Sequence, residues 1–209
     1  MEPGEDGHGE RLERLWAGEF GNAYVDRNAD AGARRGDWWR ELLERLRPAT
    51  ALEIGCNIGG NLQWVAEVLG ARNVTGIDVN EKALARLRER LPGVHAVHAR
   101  AIELPFADRS FDLTYTMGVL IHQSPDDLPA VMGEVLRCSD RHVVCVEYFA
   151  EQEEEVPYRG HEDALYRRDY GGLYASLDPS LELLDSGYLA RAEGAFDDAT
   201  YWVFERSSA

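Results

Sequence analysis

The amino-acid sequence predicts an α/β fold in which a mostly parallel, seven-stranded sheet lies between two layers of helices and ends in an antiparallel C-terminal hairpin. Short apolar runs alternate with amphipathic stretches, which is the pattern of consecutive β-α-β units. Two further strand-like runs near the C-terminus have no helix between them, which indicates a hairpin at the sheet edge. The 209 residues suffice for one such domain but not for two domains and a linker.

The seven predicted strands are short runs of apolar residues bounded by polar or turn-forming residues. The parallel part of the sheet comprises residues 51–55, 74–78, 94–98, 111–117 and 142–147. Residues 181–189 and 200–205 form the predicted hairpin, because the stretch that joins them carries Gly and Asp and shows no helical period.

Four stretches between or before these strands have apolar residues at helical spacing. They are residues 38–46, 61–69, 81–91 and 126–138. Pro48 ends the first helix, and Ser124-Pro125-Asp126 is a helix-start signal for the last. The connection from the third strand to the fourth has no clear pattern.

The negative net charge of the chain argues against polyanionic binding partners. Its 38 Asp and Glu residues exceed its 22 Lys and Arg residues, for a formal net charge of −16. Such a chain lacks the basic surface that DNA, RNA or an anionic membrane would attract. No apolar run approaches the roughly 18 residues of a membrane helix, and the acidic residues 1–10 are unlike a signal peptide. We therefore expect a cytoplasmic protein, as a monomer or a homodimer.

The three cysteines predict neither a disulfide framework nor a metal site. Cys56, Cys138 and Cys145 form no CxxC pair and have no histidine at ligand spacing. We expect them to be small buried residues, and we expect no bound metal.

A glycine-containing turn after the first strand is the first candidate binding site. Residues 52–60 read LEIGCNIGG and lead into a helix, so backbone N–H groups and the space left by glycine are available to a ligand. Asp78, at the end of the second strand, is placed to accept both ribose hydroxyls of either NAD or S-adenosylmethionine. Glu53 separates the two ligands, because it would repel a pyrophosphate but suits a sulfonium and an ammonium group.

These residues resemble the first two motifs of the class I, Rossmann-like methyltransferases. The stretch LPFADRSFD at residues 104–112 resembles the segment that precedes the fourth strand in that class. The resemblance implies S-adenosylmethionine as cofactor and S-adenosylhomocysteine as product. Asn57 departs from the pattern by replacing the middle glycine, and Arg100 stands where many members have an aspartate that contacts the adenine amine. The implied cofactor-binding residues are Tyr24, Glu53, Gly55, Cys56, Asn57, Gly59, Asp78, Val79, Ala101, Ile102, Met117 and Gly118.

Five further stretches resemble a narrower family, the methylases associated with pseudaminic acid biosynthesis. They are residues 19–28, 53–59, 118–122, 147–148 and 158–170. The resemblance implies a small metabolite as substrate, such as a sugar acid or a natural-product intermediate. It also implies an N-terminal helical lid and first helix in residues 1–48, a methyltransferase core in residues 49–209, and a substrate-binding insert around residues 150–178.

The residues after the fourth and fifth strands are the candidate substrate site, since ligands of open α/β sheets lie at the carboxyl ends of the strands. His122 is a candidate general base, with His161 as its rival, because an imidazole titrates near neutral pH. Arg159 is the candidate clamp for an anionic group. The predicted substrate-binding residues are Asn28, His122, Tyr148, Tyr158, Arg159, His161 and Arg167.

Several of these residues have a structural alternative. Arg167 and Arg168 could form salt bridges with Glu162, Asp163 or Asp169 instead of binding substrate. Tyr24 or Trp16 could close over the methionine part of the cofactor, with cation–π attraction to its sulfonium, or could serve core packing.

The expected function is S-adenosylmethionine-dependent methylation of a small, carboxylate-bearing metabolite. An NAD-dependent oxidoreductase is the first alternative, although Glu53 and the lack of a Tyr-x-x-x-Lys pair after the fourth strand weigh against it. A non-catalytic protein that binds S-adenosylmethionine is the second. Whether oxygen, nitrogen or carbon accepts the methyl group stays open.

Overall fold

The protein is described by a computed structural model that covers residues 7–28, 32 and 34–206. Its main sheet has seven strands in the order β3-β2-β1-β4-β5-β9-β8. The strands are β1 (Ala51–Ile54), β2 (Val74–Asp78), β3 (His95–His98), β4 (Phe111–Met117), β5 (Ser139–Glu147), β8 (Leu181–Leu189) and β9 (Ala199–Arg206). A separate two-stranded sheet pairs β6 (Glu154–Glu155) with β7 (Tyr166–Arg167).

The pairing agrees with the predicted fold class. Strands β1 to β5 pair in parallel, and β9 pairs antiparallel with both β5 and β8. The hairpin therefore closes one edge of the sheet with its second strand innermost. The prediction of a mostly parallel sheet with an antiparallel C-terminal hairpin is confirmed.

Helices cover both faces of the sheet. They are α1 (His8–Ala17), α2 (Glu19–Arg27), α3 (Gly36–Leu46), α4 (Leu62–Leu69), α5 (Glu81–Arg90), α6 (Leu128–Cys138) and α7 (Tyr170–Leu177). Side chains alternate along each strand, so Ala51 packs with α3, α4 and α5, whereas Leu52 packs with α6 and α7. This alternation produces two apolar clusters and the three-layer arrangement.

Helix α7 was not predicted, because two glycines in its first turn hide its pattern. Tyr170 and Tyr174 are fully buried one turn apart against the sheet, and the Asp169 carboxylate caps the helix by accepting the Gly172 N–H. A Cβ atom on Gly171 would lie 2.3 Å from the Trp202 indole, so glycine lets α7 approach β9. Tertiary packing thus stabilises a helix that local propensity disfavours.

Smaller differences from the prediction concern the ends of the elements, whereas the cysteines agree with it. Strand β5 begins at Ser139, three residues before the predicted start, because α6 runs directly into it. Residues 99–110 form turns, bends and one isolated bridge but no helix or strand, which explains why no periodic pattern marks this connection. Cys56, Cys138 and Cys145 are free and buried, as predicted.

The topology gathers the candidate site residues at one edge of the sheet. The carboxyl ends of β1, β2, β4 and β5 lie side by side there, and the segments that follow them form the floor of a cavity. Helices α1 and α2 cover this edge. Helix α1 is attached by a salt bridge from Glu13 to Arg100 and by a hydrogen bond between the His8 ring and the Asp163 carbonyl.

Candidate active site

A single cavity of about 900 Å³ collects most of the predicted site residues. Those that line it are Tyr24, Asn28, Glu53, Gly55, Cys56, Asn57, Asp78, Val79, Ala101, Ile102, Met117, Gly118, His122, Tyr148, Tyr158, Arg159 and Arg167. Two predicted residues, Gly59 and His161, are not part of its wall. A volume of this size is that of a small-molecule or cofactor site.

The turn after β1 has the conformation that its residues permit. Gly55 has φ +70°, and a Cβ atom there would lie 2.5 Å from the Val119 side chain, so only glycine fits. Asn57 also has a positive φ of +47°, which asparagine tolerates better than most residues. The replacement of the middle glycine of the motif by Asn57 therefore preserves the backbone of the turn.

The expectation that Gly59 contacts the cofactor is not supported by its position. Gly59 has φ +81°, and a Cβ atom there would meet the Leu87 and Leu91 side chains instead of the cavity. Glycine at this position serves the close packing of the turn on α5. The neighbouring residues Ile58 and Gly60 line the cavity in its place.

Glu53 is a buried carboxyl group beneath the turn, with a relative accessibility of 1%. It accepts hydrogen bonds from Asn61 Nδ2 at 2.7 Å and from the Tyr115 hydroxyl at 3.2 Å. Burial raises the pKa of Glu53 to about 8, and these hydrogen bonds and the Arg35 charge act in the opposite direction. A cation brought by a ligand would favour the ionised form.

Asp78 holds the turn and the start of α5 together. Its Oδ2 accepts the Asn57 N–H at 2.8 Å, and its Oδ1 accepts the Asn80 N–H at 2.8 Å. Burial raises the pKa of Asp78, and the backbone hydrogen bonds partly offset this effect. Each carboxylate oxygen keeps acceptor capacity for one more donor, such as a ribose hydroxyl.

Arg35 is a cavity residue that sequence reasoning missed. Its Nη1 donates to Asn61 Oδ1 at 2.8 Å, its Nε donates to the Ala195 carbonyl at 3.0 Å, and its guanidinium lies 5.0 Å from the Phe196 ring centroid. Arg35 precedes α3 outside any motif, and its partners are distant in the chain. Only the tertiary structure reveals that it shares Asn61 with Glu53.

Aromatic side chains from the N-terminal helices cover the cavity. The Trp16 ring lies 5.2 Å from the Tyr24 ring and 4.5 Å from the His122 ring, measured between centroids. Burial raises the pKa of Tyr24 to about 12, so its hydroxyl stays protonated. Asn28 Nδ2 donates to the Tyr24 carbonyl and caps α2. These contacts show that the predicted lid residues both pack together and line the cavity.

His122 is brought to the cavity in a defined tautomer. Its Nδ1 lies 2.6 Å from the Ala164 carbonyl oxygen. Because a carbonyl only accepts, Nδ1 carries the proton and Nε2 has a free lone pair. Burial lowers the pKa of His122 to about 4, so the ring is neutral at pH 7 and is a weak base.

His161, the rival base, lies outside the cavity wall. Its ring packs edge-on against Phe20 with centroids 5.0 Å apart. Its backbone closes a tight turn through reciprocal hydrogen bonds with Tyr158 at 2.8 and 3.0 Å. The His161 side chain therefore packs against α2, outside the cavity.

Arg159 occupies the turn that His161 closes. Arg159 has φ +50° and Gly160 has φ +85°, which are the signs of a type I′ turn. The guanidinium lies 5.8 Å from the Tyr158 ring centroid and lines the cavity. Within the described part of the chain, Arg159 forms no ion pair. Its charge is therefore available to an anionic ligand.

Arg167 and Arg168 differ in their burial and in their ion-pair partners. Arg167 lines the cavity and lies 3.9 Å from Glu154, at the limit of an ion pair. Arg168 is buried, and its Nε donates to Glu153 at 2.6 Å. These partners belong to the acidic run at residues 151–155 and not to the predicted Glu162, Asp163 or Asp169. The salt-bridge alternative is supported for Arg168, whereas Arg167 stays a candidate for substrate contact.

Ala101 and Ile102 also line the cavity, together with Arg100, whose Nε donates to Glu13 Oε2 at 2.6 Å. Arg100 thus connects the wall of the cavity to helix α1.

Two features are absent from the described residues 7–28, 32 and 34–206. No helix among them combines the length and apolar character that crossing a membrane requires. No group of three or more His, Cys, Asp or Glu side chains among them is arranged to hold a metal ion.

Part of the chain is similar to methyltransferase domains of known proteins. Residues 51–141 match the family model described as a methyltransferase domain. Methyltransferase GfsG from Streptomyces halstedii is 34% identical over 124 residues, which cover 56% of this chain and 44% of that protein. A probable S-adenosylmethionine-dependent methyltransferase from Mycolicibacterium smegmatis is 34% identical over 84 residues, covering 40% and 32% respectively. The chain spans less than half the length of these curated relatives.

Solved structures resemble the chain over nearly its whole length. The 1,6-didemethyltoxoflavin-N1-methyltransferase of Burkholderia thailandensis, with bound 1,6-didemethyltoxoflavin and S-adenosylhomocysteine, has a TM-score of 0.74 at 19% identity and covers 99% of this chain and 93% of that one. Magnesium protoporphyrin IX methyltransferase from Synechocystis PCC 6803, with bound S-adenosylmethionine, has a TM-score of 0.68 at 14% identity, with 98% and 100% coverage. These likenesses confirm the predicted Rossmann-like methyltransferase fold.

Proposed function

We propose that the chain is an S-adenosylmethionine-dependent methyltransferase that acts on a small, carboxylate-bearing metabolite, such as a sugar acid or a natural-product intermediate. The observation that carries the proposal is the pair of carboxylates, Glu53 and Asp78, that flank the turn after β1. A dinucleotide would bring its pyrophosphate to this turn, where Glu53 offers it no cation and would repel it whenever the carboxyl group is ionised. S-adenosylmethionine has no phosphate and carries a sulfonium and an ammonium group. The match of residues 51–141 to a methyltransferase domain supports the choice.

The polar groups of the cavity fit this cofactor. Asn57 Oδ1 is buried without a hydrogen-bond partner in the described residues, which suits a ligand donor in the turn. Asp78 would accept the ribose hydroxyls, and the apolar Ala101 and Ile102 would hold the adenine. Gly118, which has φ +66° and no atom near its missing Cβ, leaves open space beside the methionine part.

Glu53 and Arg35 would hold the amino-acid end of the cofactor. They share Asn61 as a hydrogen-bond partner, so the guanidinium and the carboxyl group are fixed next to each other. The guanidinium would pair with the carboxylate of the ligand, and Glu53 would stabilise its ammonium group.

The residues of the chain mainly position the reactants and exclude water. When bound, the cofactor supplies an electrophilic methyl group on a sulfonium leaving group. Trp16 and Tyr24 close the cavity over this end, where an aromatic face also attracts the sulfonium. Holding the acceptor in line with the methyl group then provides most of the rate gain.

The properties of His122 favour an acceptor that is already ionised. Its low pKa makes Nε2 a hydrogen-bond acceptor that takes up a proton only weakly. A carboxylate needs no base, and a substrate carboxylate elsewhere in the molecule would suit Arg159 and Arg167. In a chain of net charge −16, such local cations are needed to hold an anion.

Isothermal titration tests the cofactor. S-adenosylhomocysteine and S-adenosylmethionine are expected to bind and NAD is expected not to bind. Binding of NAD alone would establish the oxidoreductase alternative and refute the proposal.

A second assay tests the substrate by following release of S-adenosylhomocysteine. The panel pairs hexuronic acids with the parent hexoses and aromatic acids with their amides. 1,6-Didemethyltoxoflavin is included because a solved structural relative holds it. Acids are expected to be methylated faster than their neutral partners. A neutral compound as the best substrate would refute the anionic part, and binding without any turnover would favour a non-catalytic protein.

A further inference from the structure

Glu147 is a buried carboxyl group that the proposed mechanism has not used. It is the last residue of β5, and its relative accessibility is 0%. Its Oε1 accepts the N–H groups of Val119 and Leu120, both at 3.1 Å, and its Oε2 accepts that of Ile121 at 3.3 Å. One carboxylate thus binds three consecutive backbone donors of a different segment.

These donors belong to the segment that follows β4. Leu120–His122 form a single 3-10 turn, and the first N–H groups of such a turn have no partner within it. Glu147 supplies the missing acceptor. The Gly118 N–H also bonds to the Val146 carbonyl at 2.9 Å, so the whole segment is attached to the end of β5.

The attached segment forms the part of the cavity where methyl transfer would occur. Gly118 and Val119 line the cavity, and the Val119 side chain packs against Gly55 of the cofactor turn. His122 follows directly and faces the substrate side. A displacement of this segment would therefore change both the cofactor cradle and the position of the His122 ring.

The surroundings of Glu147 make a charge there costly. Its neighbours with titratable side chains are Cys145, Tyr148, Tyr170 and Tyr174, which stay neutral because burial raises the pKa of each. Among the described residues no Lys or Arg forms an ion pair with Glu147. A buried carboxylate without a cation is tolerated when several N–H groups solvate it, and three do so here.

We propose that Glu147 is a positioning residue that assembles the methyl-transfer end of the cavity by holding the N–H groups of residues 119–121, an inference that rests on the proposed function. Protonation would place an O–H donor among three N–H donors and release part of the segment. Burial raises the pKa of Glu147 to about 7, and the backbone hydrogen bonds hold it below the value that burial alone would give. The segment is therefore expected to loosen as the pH falls below about 7.

The test compares Glu147→Gln with Asp112→Asn. Asp112 is a matched control because its Oδ2 accepts two backbone N–H groups, from Ala49 at 2.6 Å and Thr50 at 3.2 Å, at the opposite end of the sheet. Titration with S-adenosylhomocysteine at pH 8 is expected to show about tenfold weaker binding for E147Q, from the loss of a charge-assisted interaction. For D112N the affinity is expected to stay within about twofold of wild type, because the hydrogen bonds that are lost lie at the opposite end of the sheet.

NMR spectroscopy of the backbone amides gives a second readout, which can be obtained from the wild-type protein alone. In wild type, the ¹H–¹⁵N resonances of residues 119–121 are expected to titrate together with a midpoint near 7, and in E147Q this titration is expected to vanish. Glu147→Asp, which keeps the charge on a shorter side chain, is expected to recover part of the affinity.

The outcomes separate the two proposals. Failure of the wild-type protein to bind S-adenosylhomocysteine would refute the proposed function. Normal binding by E147Q, an equal loss in D112N, or amides of residues 119–121 that do not titrate would refute the role of Glu147. If E147Q does not fold, the wild-type titration of these amides decides the question.

Discussion

Glu53 is expected to release a proton when the cofactor binds. The carboxyl group is buried beneath the turn after β1, and burial raises its pKa to about 8. In the proposed complex the ammonium group of the ligand lies beside it, and a neighbouring cation favours the ionised form. Binding and ionisation of Glu53 are therefore linked.

The magnitude follows from the pKa. With a pKa of about 8, roughly one Glu53 side chain in ten is ionised at pH 7 in the free protein. If the ligand shifts the pKa well below 7, binding releases about 0.9 proton per cofactor at pH 7, and close to none at pH 10. Cofactor affinity accordingly rises with pH up to about 8.

Titration calorimetry in two buffers measures this release. S-adenosylhomocysteine is titrated at pH 7 in Tris, which takes up protons with a large heat, and in phosphate, which does so with a small one. The wild-type protein and the exposed-residue control Glu44→Gln are expected to give buffer-dependent enthalpies, whereas Glu53→Gln is not. Equal wild-type enthalpies in the two buffers, or the same proton release from Glu53→Gln, would refute the reasoning.

The remaining predictions concern stability and the other binding residues. The fold favours the protonated form of Glu53, so the contribution of this group to stability is present below about pH 4.5 and is lost as the pH rises to about 8. In urea unfolding, the free energy of unfolding should therefore decline less over this pH range for Glu53→Gln than for wild type. Gly55→Val should abolish S-adenosylhomocysteine binding, whereas Gly133→Val, on an open helix face, should not. Asp78→Ala should weaken S-adenosylhomocysteine binding by about ten- to a hundredfold, and unchanged affinity in a folded variant would place the ribose elsewhere. Arg159→Ala should raise KM for an anionic substrate and thereby lower kcat/KM by about ten- to a hundredfold, and Arg159→Lys should recover part of the loss. Normal turnover by Arg159→Ala would contradict the role of Arg159 as a clamp for an anionic group.

The fold could be predicted because its main signals are local. Residues 51–54 are a short apolar run before a glycine, which marks a buried strand in the sequence. Side chains alternate along any strand, so Ala51 goes to one face of the sheet and Leu52 to the other. Helix α7 escaped prediction because Gly171 and Gly172 disfavour a helix in isolation. The burial of Tyr174 and the fit of Gly171 against Trp202 are tertiary effects that no local pattern records.

The residues of the candidate site also divide into those that the sequence reveals and those that only the tertiary structure reveals. The turn after β1 could be proposed as the cofactor site because Glu53, Gly55 and Asp78 belong to motifs at the ends of strands, and the parallel topology brings strand ends together. Arg35 and Glu147 act through partners far away in the chain, such as Ala195 and the N–H groups of residues 119–121. Neither residue type nor spacing predicts such pairs.

The sequence by itself determined the α/β class, the hairpin, and the turn after β1 with its two carboxylates, because strand-forming apolar runs, glycine stereochemistry and charge act over a few neighbouring residues. Only the tertiary structure decided that Gly59 packs on α5 and that His161 packs against Phe20. It also decided that Arg168 is held by Glu153 while Arg159 lines the cavity. Those outcomes depend on which surfaces of distant segments meet, and on which polar groups find partners once water is excluded.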